Sequence, residues 1–416
     1  MTDPATRPAR NQYLTGNFAP VEAEATLTAL RVEGSLPSHL DGRYLRNGPN
    51  PVPVPSGPYH WFLGAGMVHG LRLRDGRAEW YRNRWVRSGD VADALGEPHH
   101  PGPVHAGMDF SANTNVIGHA GRTFAIVEGG GRPYELTDTL DTVGPCDFDG
   151  TLEGGYTAHP HRDPRTGNLL AVSYFWGWGD RVQFTELSPD GRITRAVDLD
   201  VPGGPMMHDF SFTDDHVVLY DQPVTFDLDV VMASAAGDPT ASPFPYRWNP
   251  DHPCRLGVFD RGGDGSDLTW FEVDPCYVYH PMNAYDDGDR IVLDVVRHAS
   301  TMRTDPSGPF ESNPRLDRWI LDRTGGKVVQ TTTDDHPQEF PRIDERRAGR
   351  LHRYGYAPVD TTRSAATAEF DGVARFDLAT GDVATRAFGP GCTTSEFVFV
   401  PDSPDAPEDR GVLLGF

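Results

Sequence analysis

From Val21 onward the chain alternates short apolar runs with tight polar turns. These are RDGR at 74–77, HAGR at 119–122, DPRTGN at 163–168, SPDGR at 188–192, RGGDGSD at 261–267, YDDGDR at 285–290, DRTGGK at 322–327 and LATGD at 378–382. Strand-length apolar runs bounded by Gly/Asp turns predict strand–turn–strand units along the whole chain, and so an all-β sandwich, barrel or propeller. Residues 1–20 are polar and broken by proline, and read as an irregular N-terminal arm to a single β domain over residues 21–416. One segment, FDLDVVMASAAG at 226–237, has the pattern of a short helix. With the Pro-rich stretch to His252 it is expected to form a helical and loop insertion between β units, serving as a lid.

Three histidines recur in one local setting: His159 in TAHPH, His208 in MMHDFSF and His280 in YHPMNAY. Each precedes a strand-like run, respectively LLAVSYF, HVVLYD and RIVLDVV. The spacing from His159 to His208 is close to the roughly 40–50 residues of a four-stranded propeller blade. A propeller brings the inner strands of successive blades to a common axis, so histidines far apart in sequence can converge without any local motif. A sandwich offers no such convergence. Imidazole is the commonest protein metal ligand, so the three histidines are read as catalytic metal ligands.

Three glutamates stand as lone charges within or beside apolar strands: Glu128 in FAIVEGG, Glu339 in HPQEFPRID and Glu396 in TTSEFVFVP. Buried carboxylates are rare unless paired. The expectation is that each accepts the Nδ1–H of a metal-bound imidazole and thereby fixes its tautomer. Arg342 is the competing partner for Glu339.

Other histidines are set aside. His99, His100 and His105 lie in a Pro-rich loop, His161 is assigned to the surface, and His298, His336 and His352 do not open apolar strands.

Composition narrows the chemistry. The net charge of −23 argues against nucleic acid and against an electrostatic grip on anionic lipid. Lys327 is the only lysine, which leaves little room for Schiff-base catalysis. Cys146, Cys254, Cys276 and Cys392 form no CxxC pair. There is no G-x-S-x-G, H-E-x-x-H or P-loop motif. With no apolar leader or long apolar span, a cytoplasmic location is expected.

GRYLRNGPNP (42–51), HWFLGAGMVHG (60–70), ANTNVI (112–117), EGGGRPYEL (128–136), TAHPH, MMHDFSFT, YHPMNAYDDGD, EFPRIDERRAGRLHRYGY (339–356) and SEFVFVP form an ordered set. Through them the chain resembles the carotenoid cleavage oxygenases over nearly its whole length. That resemblance implies a seven-bladed β-propeller and an Fe(2+) cofactor held by four histidines, three of them supported by glutamates. His159, His208 and His280 would be ligands, with Glu128, Glu339 and Glu396 behind them. The fourth histidine of the family lies after the SEF strand, so the chain reads as C-terminally truncated, with an incomplete ring. The implied reaction is O2-dependent cleavage of a C=C bond in an apolar polyene, a carotenoid or apocarotenoid.

Trp61, Phe62, Phe110, Phe175, Trp176, Trp178 and Tyr279 are candidates for the apolar slot. Stilbene-cleaving members carry a lysine at the position of Val127, which favours the polyene. The alternatives are a stilbenoid-cleaving dioxygenase and a non-catalytic propeller acting as a binding module. No obligate protein partner is evident, and brief contact with a membrane surface is compatible with a polyene substrate.

Overall fold

Six four-stranded antiparallel sheets follow one another along the chain in the computed structural model, which describes residues 11–238, 241–305, 307–363 and 369–416. They span residues 25–85, 115–145, 161–200, 210–272, 277–334 and 342–387, and are called blades 1 to 6. A two-stranded hairpin, Val398–Pro401 with Gly411–Leu414, comes last. The β-propeller is therefore as expected, but the count of seven blades is corrected to six. The strands after residue 387 make a pair, and a pair is half of a blade.

In blades 2 to 6 the first strand is innermost and the meander runs outward. Blade 1 differs: its inner strand is Gly42–Pro49 and its outer edge is the N-terminal strand Ala25–Leu27. Burial follows this radial order. Leu169–Tyr174, the second strand of blade 3, is buried at every position, while Ile193–Asp200, its outer strand, exposes every second residue towards its end. A strand packed between two neighbouring blades is covered on both faces, and an outer strand on one.

The turns obey their sequences. RDGR and HAGR place Asp75–Gly76 (φ 48° and 70°) and Ala120–Gly121 (φ 52° and 72°) in the left-handed region that a two-residue hairpin requires. A helix at Gly89–Leu95, absent from the sequence reading, spans seven residues and stops at left-handed Gly96. It is too short for an apolar period to emerge. Residues 1–10 of the expected arm lie outside the described residues. Residues 11–18 are docked by two 3-10 turns, with Tyr13 stacked on Trp61 at 5.2 Å.

The expected helix is present as Leu228–Ala235, capped by the Asp227 carboxylate. It lies within blade 4, not between units: the segment leaves after His216–Asp221 and returns at Arg255–Asp260. Those two strands pair from Asp221↔Arg255 onward. Fully buried Asp221 accepts hydrogen bonds from His252 (2.6 Å) and Arg255 (2.7 Å), clasping the base of the insertion. Inside it, Val224–Phe226 and Tyr246–Trp248 pair antiparallel on either side of the helix. Among the described residues no helix is long and apolar enough to cross a membrane.

Candidate metal centre and active-site cavity

Three consecutive blades deliver the three histidines. His159 precedes the inner strand of blade 3, His208 that of blade 4, and His280 lies within the inner strand of blade 5, Tyr277–Asp287. At His280 the ladder is irregular between Val278 and Asn283, around Pro281, which has no N–H to donate. One ring nitrogen from each histidine lies within 4.8 Å of the others. The ring centroids are 4.5 Å (His159–His208), 4.9 Å (His159–His280) and 5.0 Å (His208–His280) apart.

Two of the rings have fixed tautomers. His208 Nδ1 lies 2.8 Å from Glu128 Oε1 and His280 Nδ1 lies 2.7 Å from Glu339 Oε2, so each ring donates its Nδ1–H to a carboxylate. Their Nε2 atoms then face each other as lone pairs at 3.1 Å. Two lone pairs at that distance need a cation between them. The third ring adds His159 Nε2, buried and without a hydrogen-bond partner. A single proton can serve two nitrogens; a metal ion can serve three. The 3.1 Å separation also suits adjacent positions on one ion whose Me–N distances are about 2.1 Å. The residues present fit a bound metal ion.

The electrostatics differ between the rings. Burial, and then the adjacent His208 and His280, hold the His159 pKa well below the ordinary imidazole value. Burial opposes the charge of His280 too, but the Glu339 charge and hydrogen bond outweigh it and raise the pKa. Glu339 itself is pushed up by burial, yet His280 and His298 hold it well below the usual carboxylate range.

Glu396 departs from expectation. It ion-pairs with Arg342 at 2.7 Å and contacts none of the three histidines. Arg342 was the expected competitor for Glu339, and it is Glu396 that it takes. Burial disfavours the guanidinium charge, and the Glu396 carboxylate more than restores it. His161 is likewise no free surface residue: it bonds Asp209 at 2.7 Å and packs on Phe210. His99 is exposed and bonds Asp93, while His105 bonds the Gly130 carbonyl, so the Pro-rich loop builds no cluster with them.

The histidines open on a cavity of about 410 Å³. Of the slot candidates, Trp61, Phe62 and Tyr279 line it. Phe110, Phe175, Trp176 and Trp178 do not; Phe175 and Trp178 pack on His105, and Trp176 stacks on Phe226. The sequence reading missed Phe310, Phe340 and Phe370, which complete the wall. Phe340 has a signal in its position directly after Glu339. Its backbone sits at φ 52°, uncommon for a bulky side chain, with its N–H on the Glu339 carboxylate and its ring 5.0 Å from His280.

The loop carrying Glu128 is set by a close backbone approach. A Cβ on Gly155 would lie 2.5 Å from the Gly130 backbone. Gly155→Ala is therefore expected to push the Glu128 loop outward and to cost about 1–3 kcal/mol, as overpacking does, read as a lower Tm together with weaker metal retention.

Residues 18–416 match the sequence profile of the family described as Retinal pigment epithelial membrane protein. A carotenoid cleavage oxygenase of Mycobacterium tuberculosis is 47% identical, over 100% of this chain and 91% of that protein. The chain belongs to the carotenoid cleavage oxygenase family. Solved structures of related oxygenases share its fold. Lignostilbene dioxygenase of Pseudomonas brassicacearum aligns with a TM-score of 0.86 at 28% identity, covering 99% of this chain and 91% of that one. Cobalt-substituted apocarotenoid oxygenase of Synechocystis aligns with a TM-score of 0.83 at 25% identity, covering 95% and 88%.

Proposed function

We propose that the protein is a non-haem Fe(II) dioxygenase that uses O2 to cleave a C=C bond of a carotenoid or apocarotenoid, giving aldehyde or ketone products. The carrying observation is the convergence of His159, His208 and His280 at the wall of an aromatic cavity, with two rings locked by the Glu128 and Glu339 carboxylates. Bound Fe(II) would supply the activation of dioxygen. His159, His208 and His280 would hold it as neutral ligands, leaving coordination positions open. Glu128 and Glu339 hold the His208 and His280 rings in orientation. Trp61, Phe62, Tyr279 and Phe340 exclude water, fix which double bond lies near the histidines, and offer π faces to positive charge developing on the polyene. No residue is needed as general acid or base.

Cleavage of a stilbenoid is the second reading, favoured by the similarity to lignostilbene dioxygenase. Against it, Val127 packs into the core of blade 2 beside Gly131, and no lysine stands there to meet a phenol oxygen. Arg46 opens into the cavity and makes no ion pair among the described residues, which suits a substrate with a polar end group such as an apocarotenal. The test is parallel incubation of the iron-loaded protein with an apocarotenal and a 4-hydroxystilbene, with aldehydes read by chromatography. Cleavage of the apocarotenal is expected. Products from the stilbene alone would reverse the assignment.

A further inference from the structure

His298 is a fully buried histidine that no part of the proposed function uses. It ends the second strand of blade 5, Arg290–His298, in register with Tyr277 on the strand that carries His280. Its Nε2 lies 2.7 Å from Glu339 Oε1, while Glu339 Oε2 faces His280 Nδ1 at 2.7 Å. The same carboxylate also accepts the Phe340 backbone N–H. Glu339 is thus gripped at both oxygens, and rotation about its terminal bond would break hydrogen bonds on both sides. The Tyr279 ring meets His298 edge-on at 5.1 Å, and Phe310 closes the pocket at 6.1 Å. His298 Nδ1 has no hydrogen-bond partner, so the ring meets a polar group only through Nε2, at Glu339.

The other supported ligand is held differently. Glu128 bonds His208 through Oε1, and the group beside it is the buried Tyr174 hydroxyl, with no second histidine in the place His298 takes at Glu339.

We infer that His298 is a positioning residue for His280, acting through Glu339 to fix the direction of the His280 Nε2 lone pair. The inference rests on the metal-site reading and assigns it a further member. Groups behind metal-bound histidines typically govern affinity by about 10–100-fold, and His298 is expected at the lower end because it acts one residue further out.

The test is Co(II) titration of the full chain, following the visible absorption of the bound ion, for wild type, His298→Phe and His298→Gln. Phenylalanine keeps the ring and deletes the donor; glutamine keeps a donor. His298→Phe is expected to bind Co(II) about tenfold more weakly with an altered spectrum, while His298→Gln stays within about threefold of wild type. Melting of the metal-free proteins separates a folding defect from a positioning defect. Should His298→Phe not fold, His298→Asn, too short to reach Glu339, replaces it. Wild-type affinity and spectrum in the donor-less variant would overturn the role of His298 and leave the metal site standing. Equal loss in the phenylalanine and glutamine variants would also overturn it. Absence of Co(II) binding by the wild type would overturn both readings.

Discussion

His208→Ala is expected to strip the protein of its metal. His208 is only 6% exposed, donates Nδ1–H to Glu128, and holds Nε2 3.1 Å from His280 Nε2. Removing it takes one of three converging imidazoles and also leaves the Glu128 carboxylate without its donor. Loss of a supporting group alone costs up to about 100-fold in metal affinity, so loss of the imidazole itself is expected to exceed that. Metal content after gel filtration, with iron measured against protein, reads the result. A variant that kept stoichiometric iron would contradict the metal centre and favour a propeller that binds without catalysing.

The second large effect concerns the fold. Trp319 is completely buried and is the largest such side chain. It packs in the cluster that joins blade 4, through Tyr220, Leu256 and Phe271, to blade 5, through Val278, Leu293 and Val295. These are the blades that deliver His208 and His280. Trp319→Ala is expected to cost about 3–5 kcal/mol through lost burial and the cavity left behind. Trp319→Phe is expected to cost much less, because the indole N–H has no hydrogen-bond partner to lose. Chemical denaturation of the two variants against wild type measures both. Equal destabilisation would show that volume is not what Trp319 contributes.

Much of this organisation is legible in the residues themselves. Gly/Asp turns mark hairpins because few other residues tolerate their backbone, and the histidines stand out because each occupies the same place in a repeated unit. What escaped is instructive. The count of blades came from family resemblance, whereas the strands after residue 387 are only two. The insertion of blade 4 looked like a linker between units, since a loop within a blade and a loop between blades share one composition. His161 reads as a surface residue, yet residues two apart on a strand share a face, and it meets Asp209 beside His208. Glu396 resembles Glu128 and Glu339 in sequence, and only the fold shows it beside Arg342. His298 ends a strand instead of opening one, so a search for strand-opening histidines passes over it. Phe310 and Phe370 reach the cavity from loops whose path no local pattern announces.

The clasp of Asp221 with His252 and Arg255 has an evolutionary consequence. It ties both ends of the blade 4 insertion to adjacent strands, and the ladder from Asp221↔Arg255 onward is complete without the intervening thirty or so residues. The segment is nonetheless joined to the core, since Gln222 accepts the Val278 N–H and Val224 accepts the Met206 N–H. It carries Phe244, which stacks on His60 and meets Phe62 at the cavity wall. Substitutions around Phe244 can therefore shift Phe62 at the cavity wall, whereas those at Val224, whose carbonyl accepts the Met206 N–H at 2.7 Å, reach the backbone beside His208, so selection on the two ends of the segment differs.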